Sequence, residues 1–257
     1  MDLQLLGRTV FVTGGSRGIG RAIALGYAGE GARVAFSYHS HRELADQTAA
    51  AIRDLGAEAL PVRVDLDEPS SGAAAVTAIG RRWGGVDVFV ANAVRWPDEL
   101  PDQSRRFEHV PDTEWQGMLR ANVEGLIALL QAVLPAMRGR ADARIVLISS
   151  DLVRHRDPAL HGLGFYSAAK AALVGLANGL ISDLAGEVLV NIVSPGLTTT
   201  ERNLTEMPQP VRDQQIARTA TRRLSTPDDI ARAVLFLGSP ANGNITGELV
   251  TVAGGFN

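Results

Sequence analysis

Tyr166 and Lys170 are the pair of residues whose types and spacing most directly suggest chemistry. They stand four positions apart in an apolar-periodic stretch, so a helix there places both on one face. A free tyrosine titrates near about 10, and a neighbouring ammonium group favours the phenolate and lowers that pKa. The pair could therefore transfer a proton near neutral pH. This spacing is common in proteins, but Lys170 is the only lysine among 25 lysine and arginine residues.

A glycine-rich turn near the N-terminus suggests nucleotide binding. Residues 13–20 read T-G-G-S-R-G-I-G, between a predicted strand and a predicted helix. Glycines allow the tight turn, and the helix N-terminus offers free N–H groups and a positive dipole to a pyrophosphate. A purely structural turn is the alternative. The residues predicted to contact a dinucleotide here are Gly14, Ser16, Arg17, Gly18, Ile19 and Gly20.

The end of the second predicted strand bears on the choice of dinucleotide. NAD-binding folds usually place an acid there for the ribose 2′-hydroxyl, but this chain has Tyr38, His39 and Ser40. With Arg17 in the turn, these groups suit a 2′-phosphate. We therefore expect NADP(H) as the cofactor.

Strand and helix patterns alternate along the chain, which predicts an α/β, Rossmann-type doubly wound parallel sheet of about seven strands with helices on both faces. We expect a single domain over residues 1–257. Loops near 93–111, 151–164 and 196–219 follow strands and are predicted to form the mouth of the site. The predicted strands are 8–13, 33–38, 59–64, 86–91, 144–149, 188–194 and 248–252. The predicted helices are 18–29, 42–55, 70–83, 112–138, 165–185, 208–218 and 227–237.

Composition excludes several classes of protein. The 257-residue chain has a net charge of −3 and no cysteine, so a basic nucleic-acid binder, a disulfide protein and a thiol enzyme have no support. The five histidines form no H-E-x-x-H motif, so we expect no metal. No apolar run approaches membrane-spanning length. A cytoplasmic protein without a nucleic-acid or membrane partner is expected.

Taken together, the glycine turn and Y-x-x-x-K at 166–170 resemble the short-chain dehydrogenase/reductase family, in its single-domain branch. The resemblance covers essentially the whole chain. It implies catalytic roles for Ser150, which binds the substrate carbonyl, and for Tyr166, which donates the proton. Lys170 would hold the nicotinamide ribose, and Asn122 would anchor a water that relays protons. Ser149 could instead be the serine, and Asn122 could merely bond helix backbone.

The same resemblance implies further contacts to the cofactor, besides Tyr166 and Lys170. These are Asp65, Leu66, Asn92, Ala93, Pro195, Gly196, Leu197, Thr198 and Thr200. The chain departs from the family pattern in the longer spacing between Ser150 and Tyr166, which enlarges the predicted mouth. Candidate substrate contacts there are Trp96, Val153, His155, His161, Phe165, Leu204 and Met207.

Within the family, the chain looks similar to NADPH-dependent ketoreductases that tailor aromatic polyketides, including angucyclinones in antibiotic biosynthesis. Trp and Arg at the mouth suit a flat, hydroxylated ketone. The alternatives are a 3-oxoacyl reductase, an alcohol or steroid dehydrogenase, and an NADP(H)-sensing module without turnover. The family also implies a homo-oligomer, a tetramer or dimer, with helices 112–138 and 165–185 at the interface.

Overall fold

The computed structural model describes residues 1–96, 106–155 and 162–256. Seven parallel strands form one sheet in the order β3-β2-β1-β4-β5-β6-β7, which confirms the predicted Rossmann-type fold. The strands are β1 Thr9–Val12, β2 Arg33–Tyr38, β3 Ala59–Arg63, β4 Val88–Ala91, β5 Ala143–Ile148, β6 Val188–Pro195 and β7 Leu249–Val252.

Helices cover both faces of this sheet, as predicted. Buried side chains of α3, α5 and α6 pack on one face, and those of α1, α2 and α9 pack on the other. The helices are α1 Gly18–Gly29, α2 Arg42–Asp54, α3 Pro69–Trp83, α4 Asp112–Leu119, α5 Gly125–Met137, α6 Gly164–Asp183, α7 Glu201–Glu206, α8 Gln209–Arg218 and α9 Pro227–Leu237.

The strand order places a crevice beside β1 and β4. Strands β2 and β3 extend from one side of β1, and β4 to β7 extend from the other. In open parallel sheets, ligands bind beyond the carboxyl ends of the strands at this reversal of strand order. The segments that follow β1, β4, β5 and β6 therefore surround the candidate site.

The structure corrects the prediction of one continuous α-helix over 112–138. Helix α4 ends at Leu119, Arg120–Glu124 form a π-helical turn, and α5 begins at Gly125. A π turn inserts one residue into the helix and is frequent at functional sites. The apolar pattern of the sequence cannot reveal a single residue inserted into a helix. The π turn contains Asn122, which the sequence predicts to be a site residue.

A second correction concerns the first part of the loop predicted near 196–219. The structure has helix α7 at Glu201–Glu206, where Thr200 Oγ1 accepts a hydrogen bond from the Asn203 N–H. Helix α7 is short and polar, so the sequence has no apolar periodicity there that would predict a helix.

The stretch Asp112–Met137 is long and apolar enough to cross a membrane by length and composition alone. We did not expect such a stretch from the sequence. Its side chains Leu126, Leu129, Leu130 and Val133 are buried in the core beneath the sheet. Core helices of soluble proteins have the same profile, so the stretch is only weak support for a membrane span.

Candidate active site

The glycine-rich turn is shaped by close backbone contacts that leave no room for side chains. Gly14 has a φ of +66°, and its N–H donates to Ser37 Oγ at 2.9 Å. A Cβ on Gly20 would overlap the Gly14 carbonyl oxygen and lie 2.5 Å from Asn92 Nδ2. The turn thus forms a compact cradle at the N-terminus of α1, where backbone N–H groups can approach a pyrophosphate closely.

The two residues that follow strand β4 support this turn. Asn92 Nδ2 donates to the carbonyl oxygens of Thr13 and Gly14, at 2.9 and 3.3 Å. The N–H groups of Asn92 and Ala93 both donate to Thr13 Oγ1 at 2.8 Å. Asn92 and Ala93 therefore fix the floor of the crevice.

The end of β2 carries polar and aromatic groups beside α2. Arg42 Nη1 donates to the Tyr38 hydroxyl at 3.2 Å, and the guanidinium also pairs with Asp46. His39 and Ser40 are exposed, and His39 Nε2 lies 3.1 Å from Asp65 Oδ2. No acid stands at the end of this strand, although Asp65 reaches His39 from the end of β3.

The segment after β6 approaches the glycine turn from the other side. The Thr200 methyl carbon lies 3.3 Å from the position that a Cβ on Gly18 would take. Thr198 is buried, and its hydroxyl donates to the Gly196 carbonyl oxygen at 2.9 Å. The candidate cofactor residues that frame the crevice on this side are Pro195, Gly196, Leu197, Thr198 and Thr200.

The predicted serine, tyrosine and lysine meet beside this crevice. Ser150 follows β5 and forms a side-chain hydrogen bond with Tyr166 on α6. Lys170 Nζ lies 5.9 Å from the centre of the Tyr166 ring and donates to the Ile148 carbonyl oxygen at 2.8 Å. All three side chains are buried.

Burial sets the proton affinities of this group. It raises the pKa of Tyr166 far above the usual tyrosine value, the Ser150 hydrogen bond opposes the rise, and the Asp151 charge adds to it. Burial also lowers the pKa of Lys170 to about 8. From the sequence we expected Lys170 to depress the pKa of Tyr166. That expectation is wrong for this structure, because the cost of burying a phenolate dominates.

Ser149, the alternative catalytic serine, points elsewhere. Its hydroxyl donates to the Lys170 backbone carbonyl oxygen at 2.9 Å and is buried. It thus ties β5 to helix α6, whereas Ser150 contacts the Tyr166 side chain.

Asn122 uses its side chain to hold a neighbouring segment. Its Oδ1 accepts from the Arg95 N–H, and its Nδ2 donates to the Arg95 carbonyl oxygen, both at 2.8 Å. The amide bonds neither its own helix backbone nor Lys170. It fixes the chain immediately before Trp96.

The candidate substrate residues lie at different depths around the mouth. The Trp96 ring meets the Tyr166 ring nearly edge-on, with 4.5 Å between centroids. Phe165 stacks on Phe107 at 4.8 Å, and His155 packs against Phe256 at 6.3 Å.

Three other candidates are less enclosed. Leu204 is exposed, and Val153 and Met207 are half-buried. His161 lies outside the described residues.

Two side chains near the site have no counterpart among the predicted residues. The Arg202 guanidinium on α7 lies over the Trp96 ring, 5.5 Å from its centre. Asp151 is buried next to Ser150, with Oδ2 3.2 Å from the position of a Cβ on Gly196. Only the pairing of Arg202 with Glu206 at i, i+4 is visible in the sequence, and it does not reveal the contact with Trp96.

Within the described ranges, no group of three or more histidine, aspartate or glutamate side chains is placed to hold a metal ion. The groups that the site does bring together are a hydrogen-bonded serine and tyrosine, a buried lysine and a dinucleotide cradle.

A Rossmann-type sheet, a glycine turn and a Ser-Tyr-Lys cluster define an NAD(P)-dependent oxidoreductase of the short-chain dehydrogenase/reductase type. Comparison with known proteins agrees: residues 14–257 match the family described as Enoyl-(Acyl carrier protein) reductase. The chain belongs to the short-chain dehydrogenase/reductase family.

Three proteins are similar to this chain over nearly its full length. The 3-oxoacyl-(acyl-carrier-protein) reductase FabG of Escherichia coli (strain K12) is 33% identical over 255 residues, covering 97% of each chain. A short-chain dehydrogenase from Burkholderia cenocepacia, solved with NADP, has a TM-score of 0.87 and 34% identity, covering 98% of each chain. A 7α-hydroxysteroid dehydrogenase, solved with NADH and 7-oxo glycochenodeoxycholic acid, has a TM-score of 0.89 and 28% identity, covering 99% of this chain and 96% of that one.

Proposed function

We propose that this protein is an NADPH-dependent ketoreductase. The observation that carries the proposal is the hydrogen bond between Ser150 and Tyr166, with the Lys170 ammonium group 5.9 Å from the tyrosine ring. Such a pair of hydroxyls can orient a ketone oxygen and stabilise the charge that develops on it.

Each residue has a distinct part in this reaction. Ser150 donates a hydrogen bond to the ketone oxygen, and Tyr166 gives that oxygen its proton. Burial raises the pKa of Tyr166, which keeps the phenol protonated but makes it a weaker acid, and the Ser150 hydrogen bond opposes that rise. Lys170 contributes a positive charge beside the phenol. NADPH, when bound, supplies the hydride that reduces the carbonyl carbon.

The dinucleotide cradle supports NADP(H) as the cofactor. Gly14, Gly18 and Gly20 allow the close contacts that shape the turn, and the N-terminus of α1 is the kind of site that binds a pyrophosphate. The exposed side chains of Arg17 and His39 are suited to a ribose 2′-phosphate. The solved relative with NADP supports the same choice.

For the substrate, the similarity to 3-oxoacyl-(acyl-carrier-protein) reductases favours a 3-oxoacyl thioester over the polyketide ketone expected from the sequence. One observation keeps a ketone of a polycyclic aromatic polyketide, such as an angucyclinone, as the second candidate. The indole of Trp96 lies against Tyr166, where the ketone must bind, and a planar ring system can pack on it.

Further properties follow from the family and remain proposals for this chain. We propose a single domain that acts in the cytoplasm as a homo-oligomer, a tetramer or dimer, on a small molecule. The outward positions of α6 are small, which allows a second helix to approach closely. They include Ala168, Ala171, Ala172, Gly175 and Gly179.

The test follows absorbance at 340 nm with NADPH and with NADH. Acetoacetyl-CoA represents the 3-oxoacyl thioesters, and α-tetralone represents ketones fused to an aromatic ring. NADPH consumption with either ketone supports the ketoreductase, and the faster substrate identifies the class. Oxidation of a secondary alcohol with NAD⁺, without ketone reduction, would indicate a dehydrogenase. Tight NADPH binding without any turnover would indicate a sensor.

A further inference from the structure

Trp96 packs directly against Tyr166, the proposed proton donor. Its ring is half-buried and meets Tyr166 at 68°, with 4.5 Å between centroids. The preceding residue, Arg95, is held through its backbone by Asn122, and its guanidinium pairs with Asp67 at 2.7 Å. The backbone leading to Trp96 is therefore fixed from one side.

The Arg202 guanidinium lies over the Trp96 ring. The guanidinium carbon lies 5.5 Å from the ring centre, within the range of a cation–π contact. Arg202 Nε donates to both carboxylate oxygens of Glu206, at 2.9 and 2.8 Å, which orients the planar group.

Helix α7, which carries Arg202, is itself anchored beside the cofactor crevice. Thr200 caps its first turn, and Asn203 Nδ2 donates to the Thr198 carbonyl oxygen at 2.8 Å. The Arg202 guanidinium is thus placed by a helix tied to the segment after β6.

We propose that Arg202 is a positioning residue that holds the Trp96 indole against Tyr166, so that the binding of a ketone fused to a planar ring system depends on Arg202 more than the binding of an aliphatic 3-oxoacyl chain does. The inference rests on the proposed ketoreductase function. A flat substrate packs on the indole surface, so it depends on the placement of that ring. An aliphatic acyl chain makes less contact with the indole, so its binding depends less on the placement of that ring.

The first test is kinetic and compares Arg202→Ala with wild type on α-tetralone and acetoacetyl-CoA. A cation–π contact of ordinary strength predicts a KM for α-tetralone raised about 3- to 10-fold, with kcat nearly unchanged. The KM for acetoacetyl-CoA should change much less. Arg202→Lys should recover only part of the effect, because a lysine keeps the charge but not the planar group.

Arg138→Ala is the matched control. Arg138 directly follows α5 and, like Arg202, pairs with a glutamate, in its case Glu187 at 2.8 Å. This variant should leave both KM values unchanged. The proposal would be overturned if Arg202→Ala changed the KM for α-tetralone and the KM for acetoacetyl-CoA by the same factor. It would also be overturned if the wild-type enzyme reduced acetoacetyl-CoA but not α-tetralone.

The second test needs no turnover and uses acrylamide quenching of Trp96 fluorescence. The Trp96 signal is the difference between each protein and its Trp96→Phe version. Arg202→Ala should increase the quenching of Trp96, and Arg138→Ala should not. Unchanged quenching would show that Arg202 does not hold the indole, even if no ketone is reduced and the proposed function itself fails.

Discussion

Asn122 pairs with both backbone groups of Arg95, accepting from its N–H and donating to its carbonyl oxygen at 2.8 Å each. Asn122 is buried in the π-helical turn between α4 and α5. Since Trp96 follows Arg95 and lies against Tyr166, this amide links the helix distortion to the wall of the candidate site.

Asn122→Ala should weaken both the fold and the site. It leaves two backbone groups of Arg95 without their partner, which costs about 1–3 kcal/mol of unfolding free energy. The displaced Trp96 should lower kcat/KM for ketone reduction. Urea unfolding and steady-state kinetics measure the two effects. Full stability with full activity would contradict the assigned role.

The two adjacent serines are expected to respond differently to substitution. Ser150→Ala removes the hydrogen-bond partner of Tyr166 and should lower kcat by about 100-fold or more, without changing NADPH affinity. Ser149→Ala should cost about 1 kcal/mol of stability, through its lost bond to Lys170, and keep most of the activity. Steady-state kinetics of the two variants decides which serine is catalytic. A large loss of kcat in Ser149→Ala, with kcat kept in Ser150→Ala, would make Ser149 the catalytic serine.

Burial of Lys170 should make the cofactor-free protein less stable at neutral pH. Its pKa is about 8 when folded and 10.5 in the ordinary state, so the unfolded chain binds the proton more tightly. Stability from this group therefore rises as pH increases from about 8 to about 10.5. Lys170→Met removes this cost at pH ~7, an advantage that the lost hydrogen bond to the Ile148 carbonyl oxygen reduces, and it should also lose ketone reduction.

Urea unfolding at pH ~7 and pH ~10 tests this expectation. The stability advantage of Lys170→Met should shrink at the higher pH. An advantage that stays constant over this window would show that the Lys170 pKa is not lowered by folding.

The glycine turn offers a matched pair on one helix. A Cβ on Gly20 would overlap the Gly14 carbonyl oxygen, whereas a Cβ on Gly29 meets nothing within 4 Å. Gly20→Ala should therefore weaken NADPH binding by about tenfold or more, because the turn must open. Gly29→Ala should leave it unchanged. Fluorescence titration with NADPH measures the affinity of each variant. Equal affinities of Gly20→Ala and Gly29→Ala would show that the glycine turn does not bind the cofactor.

The sequence predicts the fold well, because strand and helix patterns alternate from Thr9 to Val252 and each pattern is local. It also identifies Tyr166 and Lys170, since their separation along one helix determines that they share a face. Placement of Ser150 beside Tyr166 rests on family resemblance, and the structure provides the contact.

Other features depend on contacts between distant segments and could not be predicted. The π turn at Arg120–Glu124 adds one residue to a helix whose apolar pattern continues across it. The raised pKa of Tyr166 follows from burial, which pairwise spacing does not describe. The contact of Arg202 with Trp96 joins residues from different mouth segments.

The most direct test of the central claim is the 340 nm assay on Tyr166→Phe, with Tyr27→Phe as the control. Tyr27 is a buried tyrosine whose hydroxyl donates to the Val234 carbonyl oxygen at 3.2 Å, away from the crevice. Tyr166→Phe should still bind NADPH but reduce ketones at least about 100-fold more slowly, because the proton donor is gone. Tyr27→Phe should retain its activity. Ketone reduction by Tyr166→Phe at the wild-type rate would contradict the account.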